Sequence, residues 1–217
     1  MRKAVLSENT VIQGLPFRAG TDIHLYKDGK VSSGTLSEKT VVQGLPVSAA
    51  YIQFHENGKI SIAVMSEDAY IQEIPVKSET WFFLYENGKL ERAVLSRNTA
   101  IQGIPLKSGE WAAFHKNGIL EEAVLYDDTT IQNIPVKSGK WKEGSRLFLY
   151  SNGKIEYAVL SENTVIQGIP CKSQEWVGFY QNGRLKQAVL SEDIQQQGHH
   201  YKSGETVKLD IAGRLAH

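Results

Sequence analysis

The stretch Ala-Val-Leu-Ser-Glu-Asn-Thr-Val-Ile-Gln-Gly occupies residues 4–14 and recurs unchanged at residues 158–168. Close variants lie between these copies, and a turn glycine, most often within Asn-Gly, recurs at Gly29, Gly58, Gly88, Gly118, Gly153, Gly183 and Gly213. Successive glycines are 29 or 30 residues apart, except for one interval of 35. Self-similarity at a fixed period is the signature of a repeat architecture. The sequence therefore predicts one repeat domain over residues 1–217, made of seven repeats of about 30 residues cut at these turns.

Turn residues divide each repeat into short extended segments. In the sixth repeat the β-rich segments are 164–167, 176–180 and 185–190. Gly, Pro, Asx and Ser recur too often along the chain for a long helix to form. These patterns predict an all-β fold with three short strands in each repeat. One position of the repeat predicts a bulge, a strand end or an edge, because a proline there cannot donate a ladder hydrogen bond; its members are Pro16, Pro46, Pro75, Pro105, Pro135 and Pro170.

The type of the Asn-Gly turn follows from the residues that it would place opposite each other. A two-residue type I′ loop pairs Leu84 with Glu91, an apolar residue with a charged one. A three-residue loop with the glycine in a G1 bulge pairs Leu84 with Leu90 and Phe179 with Leu185. We therefore predict a hairpin with a G1 bulge, and the alternative is the corner of a β-helix.

The number of repeats bears on whether the array is closed or open. Residues 4–217 contain an integral number of repeats, and a closed ring would remove exposed sheet edges. The seventh repeat is degenerate over residues 195–201, which is how open arrays cap themselves. We favour a closed, toroidal arrangement, propeller- or barrel-like, over an open meander or a β-solenoid.

Composition excludes several classes of partner. Lys plus Arg and Asp plus Glu number 24 each, so the net charge is zero and gives no reason to expect nucleic acid or an anionic membrane surface. No apolar run approaches the roughly 20 residues that span a bilayer. The start of the chain does not have the pattern of a signal peptide. A signal peptide that has already been removed is an alternative. A single cysteine excludes an internal disulfide and favours a reducing compartment such as the cytoplasm.

The core of the repeat resembles a known family. The segment Phe83-Leu84-Tyr85-Glu86-Asn87-Gly88-Lys89-Leu90 is similar to the variant MORN repeats of bacterial proteins. This resemblance covers about eight residues of each repeat. It implies an array of β-hairpins that acts in protein or membrane association, and it supplies no functional residue.

Aromatic residues form two columns along the repeats. All four tryptophans lie nine residues after the glutamine that recurs in every repeat; they are Trp81, Trp111, Trp141 and Trp176. Tyr51 takes the matching place in a shortened repeat. A second column includes Tyr85 and Tyr180. Because side chains alternate along a strand, both columns are expected on the face away from the main apolar stripe. They can pack neighbouring repeats together, or serve as exposed platforms for a sugar or a partner chain.

A glutamine column is the most regular polar feature of the chain. Every repeat has it, at Gln13, Gln43, Gln72, Gln102, Gln132, Gln167 and Gln197. We interpret the amide as structural, bonding the backbone of a neighbouring repeat or the next glutamine. The alternative is a set of symmetry-related ligand contacts.

Residues for catalysis are scarce. The sequence has no P-loop, Gly-x-Ser-x-Gly, His-Glu-x-x-His or Cys-x-x-Cys motif, and Cys171 replaces the valine of sister repeats, which is typical of a core thiol. His199 and His200 are adjacent on a strand and point to opposite faces, so they make a poor chelate. We expect no catalytic residue, metal or cofactor. The sequence predicts a non-enzymatic scaffold for protein–protein interaction, and the alternative is a multivalent, lectin-like carbohydrate-binding module.

Overall fold

The structure is a computed structural model that describes residues 2–140, 145–196 and 198–215. The described residues form β-strands and turns without a helix, so the all-β prediction is confirmed. The chain divides into two compact units: the first comprises Met1–Arg97 with Ala113–Gly118, and the second comprises Asn98–Ala112 with Ile119–His217.

Fourteen strands belong to one long antiparallel sheet. In chain order they are β1 Arg2–Val5, β4 Asp22–Leu25, β5 Val31–Thr35, β8 Tyr51–Phe54, β9 Ile60–Val64, β12 Trp81–Leu84, β13 Leu90–Val94, β16 Trp111–Phe114, β17 Leu120–Ala123, β20 Leu147–Leu149, β21 Ile155–Val159, β24 Trp176–Phe179, β25 Leu185–Val189 and β28 Thr206–Lys208. The strands follow one another across the sheet in this same order.

The other fourteen strands form seven short hairpins, one in each repeat. They are β2 Thr10–Ile12 with β3 Leu15–Phe17, β6 Thr40–Val42 with β7 Leu45–Val47, β10 Ala69–Ile71 with β11 Ile74–Val76, β14 Thr99–Ile101 with β15 Ile104–Leu106, β18 Thr129–Ile131 with β19 Ile134–Val136, β22 Thr164–Ile166 with β23 Ile169–Cys171, and β26 Ile194–Gln196 with β27 His199–Tyr201.

The prediction of three strands in each repeat is wrong, because the short hairpin contributes two. Its loop in the sixth repeat is Gln167-Gly168, with φ of 53° and 86°, which is the type I′ conformation. The strand that sequence reasoning missed is Ile169–Cys171, where Pro170 pairs with Val165. The residues flanking a two-residue loop exchange hydrogen bonds and the next pair does not. Pro170 lies in that next pair, so the hairpin accepts a proline without losing a ladder bond.

The hairpin with a G1 bulge at the Asn-Gly turn is confirmed. Leu84 pairs with Leu90, and Phe179 pairs with Leu185, each with a register shift beside it. Gly88 has a φ of 87°, the left-handed conformation that the bulge requires. The β-helix corner is therefore wrong.

The closed, toroidal arrangement is also wrong. The sheet is open: β1 and β28 are the first and last strands in its order, and the described residues contain no pairing between them. Strands of the sheet lie next to their neighbours in chain order, so each repeat adds its two strands at the growing edge of the sheet. An integral number of repeats fixes the phase of the last strand, but it does not bring that strand back to the first.

Each compact unit has its core between the long sheet and the short hairpins. In the first unit Phe82 and Ala93 of the sheet are fully buried, as are Val76 of a short hairpin and Leu95, which bridge each other. Small and large side chains pack against each other within this core. Gly34 stands where most repeats have alanine, and a Cβ at this position would lie 2.7 Å from two ring carbons of Phe17.

Candidate functional site

The long sheet carries an aromatic face on the side away from the core of the first compact unit. We call it the outer face and define it by Tyr51, Gln53, Ile62, Val64, Trp81, Phe83 and Arg92. Antiparallel register sets Trp81 opposite Val64 and Phe83 opposite Ile62. The alternation of side chains along β12 explains the arrangement, because Phe82 and Leu84 point into the core while Trp81 and Phe83 point away from it.

Two rings of the outer face are partly exposed and lie close together. Tyr51 is 40% exposed and Trp81 is 41% exposed. Their ring centroids are 6.5 Å apart and their planes are inclined by 58°. Aromatic pairs commonly adopt such a tilted geometry. The two rings therefore form a stepped apolar surface and not a flat one.

The exposure of the valines shows what the indole covers. Val64 points to the outer face opposite Trp81, yet it is only 8% exposed. Val5 is the equivalent residue in the edge strand β1, where it faces Asp22, and it is 65% exposed. Val64 lies between β8 and β12, whereas Val5 has a strand on one side only. Trp81 covers one side of Val64 and is itself partly exposed, so packing and exposure occur together in one residue.

Polar groups border the exposed rings. The guanidinium of Arg92 lies 4.4 Å from the centroid of the Phe83 ring, a cation–π distance. The hydroxyl of Tyr51 donates to Oε1 of Gln53 over 3.3 Å. An apolar centre with a polar border is the composition expected of a protein-binding surface.

The second compact unit has its own aromatic group, which consists of Phe148, Tyr157 and Trp176. Trp176 is half-buried opposite Val159, and its ring centroid lies 6.0 Å from that of Phe148. Gly178 lies beneath the Tyr157 ring, where a Cβ would approach a ring carbon to 2.7 Å. This group is more closely packed than the Tyr51–Trp81 pair.

Two cations flank this second group. Arg146 forms an ion pair of 2.8 Å with Glu122 and lies 5.1 Å from the Phe148 ring centroid. Lys186 donates to the hydroxyl of Tyr157 over 3.2 Å, and this hydrogen bond raises the pKa of Lys186. Trp111 is half-buried in β16, and Trp141 lies outside the described residues.

The second aromatic column connects consecutive repeats. The hydroxyl of Tyr85 donates to the carbonyl of Phe114 over 2.8 Å, and that of Tyr180 donates to the carbonyl of Leu209 over the same distance. His55 makes the equivalent contact through Nε2. These hydroxyls serve the frame, and ligand binding by Tyr85 and Tyr180 stays a prediction.

The glutamine column bonds the short hairpins to the turns of the long sheet. In Gln72, Nε2 donates to the carbonyl of Gly88 over 2.8 Å and Oε1 accepts from the N–H of Leu90 over 3.2 Å. Gln13, Gln43, Gln132 and Gln167 make the same two bonds, and Gln102 accepts the second of them. Gln197 lies outside the described residues. In each described case the amide bonds to the backbone of the next glycine turn, which is Asn-Gly except at Asp28-Gly29.

Two further polar columns were missed by sequence reasoning. The lysine after the turn glycine reaches the next turn, as in Lys59, whose Nζ donates to the carbonyl of Asn87 over 2.8 Å. A carboxylate or amide two residues after the Leu-Ser step, or after its variant Met65-Ser66, caps a loop, as in Asp68, which accepts from the N–H of Ser78 over 2.7 Å. This bond lowers the pKa of Asp68. Their regular recurrence in the sequence is the signal that could have revealed both.

The remaining reactive groups are few. Cys171 is buried, and burial raises the pKa of its thiol to about 11. The exposed His199 and His200 occupy successive positions of β27. Among the described residues, no three His, Cys, Asp or Glu side chains are grouped so that they could hold a metal ion. Nor does the described part of the chain contain a helix that could cross a membrane.

Comparison with known proteins adds no functional residue. No protein-family model matches the chain, and no curated protein is significantly similar to it. The function therefore rests on the geometry of the outer face and of the frame that holds it, by which we mean the hydrogen bonds of the glutamine and tyrosine columns.

Proposed function

We propose that the chain is a non-enzymatic repeat scaffold that binds another protein through the outer face. The observation that carries this proposal is the exposed pair of Tyr51 and Trp81 beside the stacked Arg92 and Phe83. Tyr, Trp and Arg are the residue types that contribute most to protein–protein binding energy. The resemblance of the repeat core to MORN repeats, which implied protein association, belongs to the same proposal.

Hydrogen bonds hold the short hairpins and the long sheet together at each described glutamine, and this frame supports binding by the outer face. Glutamine amides join the short hairpins to the turns, and hydroxyls such as that of Tyr85 join one hairpin to the next. A surface held in its binding geometry loses little conformational freedom when a partner docks. The regular polar columns therefore contribute to affinity without contacting the partner.

The pKa shifts of two carboxylates and of the buried thiol also favour a scaffold over an enzyme. Backbone N–H groups lower the pKa of Asp68 and of Asp193 because each carboxylate caps a loop. Burial raises the pKa of Cys171 and so disfavours the reactive thiolate. Each of these shifts has a structural cause, and none lies beside the exposed rings.

The tilt of the exposed rings favours a protein partner over a glycan. A sugar stacks by laying one flat face on an aromatic ring, and the planes of Tyr51 and Trp81 differ by 58°. One flat sugar face therefore cannot lie on both rings. The side chains of a protein can fill such a step because they vary in shape and direction. The lectin-like function is kept as an outcome of the experiment.

The experiment compares the wild-type chain with Trp81→Thr and Tyr51→Thr. Threonine already occupies the equivalent position at Thr206, so these changes suit a strand. Val11→Thr, an exposed substitution on a short hairpin, is the matched control. A protein retained from extract is identified and purified, and its Kd is measured for each variant, while a glycan panel is measured in parallel.

The proposal predicts a purified protein whose Kd rises at least tenfold with Trp81→Thr and changes less than twofold with Val11→Thr. Unfolding curves of each variant should match that of the wild type, which would show that the loss of affinity does not come from unfolding. Saturable binding of a glycan that requires Trp81, with no protein partner that depends on it, would replace the scaffold with the lectin-like function. A partner indifferent to both outer-face substitutions would exclude this face as the docking surface.

A further inference from the structure

A pocket recurs in several repeats on the side of the short hairpins. Each copy lies between two successive glutamine turns and reaches the next Asn-Gly turn. Two copies belong to the first compact unit, and a third, bounded by Gln102 and Gln132, belongs to the second. We call them the glutamine-turn pockets. They arise because the sheet is continuous beneath while the short hairpins above it are separate two-stranded units.

The two pockets of the first compact unit are neighbours. The first has a volume of about 270 Å³ and the second about 210 Å³, and Gln43 lines both. A cavity of about 150 Å³ can hold a benzene ring. Each pocket is thus large enough for one aliphatic side chain of a ligand, and the two form a short row with a shared wall.

The spacing of this row indicates the conformation of its ligand. Each repeat adds two strands to the long sheet, and neighbouring strands are about 4.7–4.9 Å apart, so equivalent pockets are about 9.5 Å apart. A polyproline II helix rises about 3.1 Å per residue with three residues per turn, which repeats every 9.3 Å or so. Its residues i and i+3 point the same way at this spacing. Residues i and i+3 of a β-strand point to opposite faces.

The lining indicates the chemistry of the ligand. Val41 is 67% exposed at the first pocket and Tyr70 is exposed at the second, so each offers apolar surface to an aliphatic side chain. Lys30 lines the first pocket, where it forms an ion pair of 2.9 Å with Asp28, and Lys59 lines the second. Lys59 is held by the carbonyl of Asn87, which keeps a positive charge beside its pocket. An acidic residue between the aliphatic ones complements this charge.

We propose that the glutamine-turn pockets of the first compact unit bind a polyproline II peptide segment that has an aliphatic side chain at every third residue and a carboxylate between them. The inward-pointing Phe54 and Leu84 line these pockets, whereas Trp81 and Phe83 point to the outer face. The site is therefore separate from the proposed docking surface, and either can fail without the other.

The test titrates blocked synthetic peptides into the full chain. The probe is three tandem copies of Val-Pro-Glu, and the control has the same composition with its valines two residues apart. A third peptide replaces Glu with Gln to measure the contribution of charge. Two variants are matched: Val41→Asp changes a pocket wall, and Val11→Asp changes the equivalent residue of the first hairpin, which is 70% exposed and does not line the pocket.

We expect saturable binding of the period-three peptide, at least tenfold weaker binding of the period-two control, and weaker binding of the glutamine peptide with a difference that shrinks as salt is added. Val41→Asp should raise the Kd at least tenfold, Val11→Asp less than twofold, and Trp81→Thr not at all. Absence of saturable binding to the wild-type chain at millimolar peptide overturns the proposal. So does equal binding of the two periods, or equal loss in both aspartate variants.

Discussion

Replacement of Gln72 by asparagine separates two explanations of the glutamine column. Gln72 has a φ of 51° and is the first residue of a type I′ turn, a position that asparagine occupies more readily than glutamine. If turn conformation alone selected the residue, Gln72→Asn would leave stability unchanged or raise it. The structure predicts the opposite, because the shorter side chain cannot bridge Gly88 and Leu90.

The size of the effect follows from the two hydrogen bonds of the Gln72 amide. Nε2 to the Gly88 carbonyl measures 2.8 Å, and the part-buried N–H of Leu90 to Oε1 measures 3.2 Å. A neutral hydrogen bond contributes about 0.5–1.5 kcal/mol net, so the loss of both costs about 1–3 kcal/mol. The better turn preference of asparagine offsets only part of this loss.

The assay is urea unfolding of the wild type, Gln72→Asn and Gln72→Gly, combined with hydrogen exchange at the Leu90 amide. Gln72→Gly relieves the left-handed backbone and also removes the amide, so it serves as the control for turn strain. Both variants should unfold at lower urea, and the Leu90 amide should exchange faster in both. A Gln72→Asn protein as stable as the wild type, with the Leu90 amide still protected, would refute the bridging role.

Three other substitutions test the packing and the frame. Gly34→Ala should lower the free energy of unfolding by about 1–3 kcal/mol because its Cβ overlaps the Phe17 ring. The same change in a Phe17→Val background should stabilise the protein. A double-mutant cycle without this reversal contradicts the packing. Because burial raises the pKa of Cys171 to about 11, the stability that it contributes is full below about pH 9 and is lost as the pH rises from about 9 to 11. Denaturant melts of the wild type against Cys171→Val across that range should show a relative loss of about 2–3 kcal/mol, and a constant difference between the two proteins counts against the shifted pKa. Tyr85→Phe removes a hydrogen bond of 2.8 Å and should cost about 1 kcal/mol by urea unfolding, whereas Tyr85→His should cost less because His55 makes the equivalent contact; equal costs for the two would argue against the bond.

The hairpins of the long sheet could be predicted because only one register places apolar residues that are close in sequence opposite each other. Leu84 opposite Leu90 and Phe179 opposite Leu185 satisfy one face only in the three-residue register. The strand Ile169–Cys171 was missed because a central proline predicts a bulge, a strand end or an edge, and both strands of a two-stranded hairpin are edges. A two-stranded hairpin has no such constraint on its non-hydrogen-bonded pair.

Closure could not be predicted from the count of repeats. Whether a sheet closes depends on the twist and curvature that accumulate over many strands, and neither is encoded in the phase at which the last strand ends. The residues that make the array regular, such as Gln72 and Lys59, are local in their effect because each bonds only to the next turn or the next repeat.

The candidate site was found in part. Alternation along β12 is enough to place Trp81 on the face away from the core. The sequence did not indicate that Trp81 shields Val64 while staying 41% exposed, since this depends on the cross-strand register and on side-chain direction. Nor did it separate Tyr51 from Tyr85, whose hydroxyl reaches a backbone carbonyl of the next repeat.

The most direct test of the outer face as a protein-docking surface is the Kd of a purified partner for the wild type and for Trp81→Thr, measured beside the free energy of unfolding of both. The account predicts at least a tenfold rise in Kd with the first compact unit still folded. A Kd that stays within twofold of the wild-type value, in a variant whose exposed indole is gone, would contradict it.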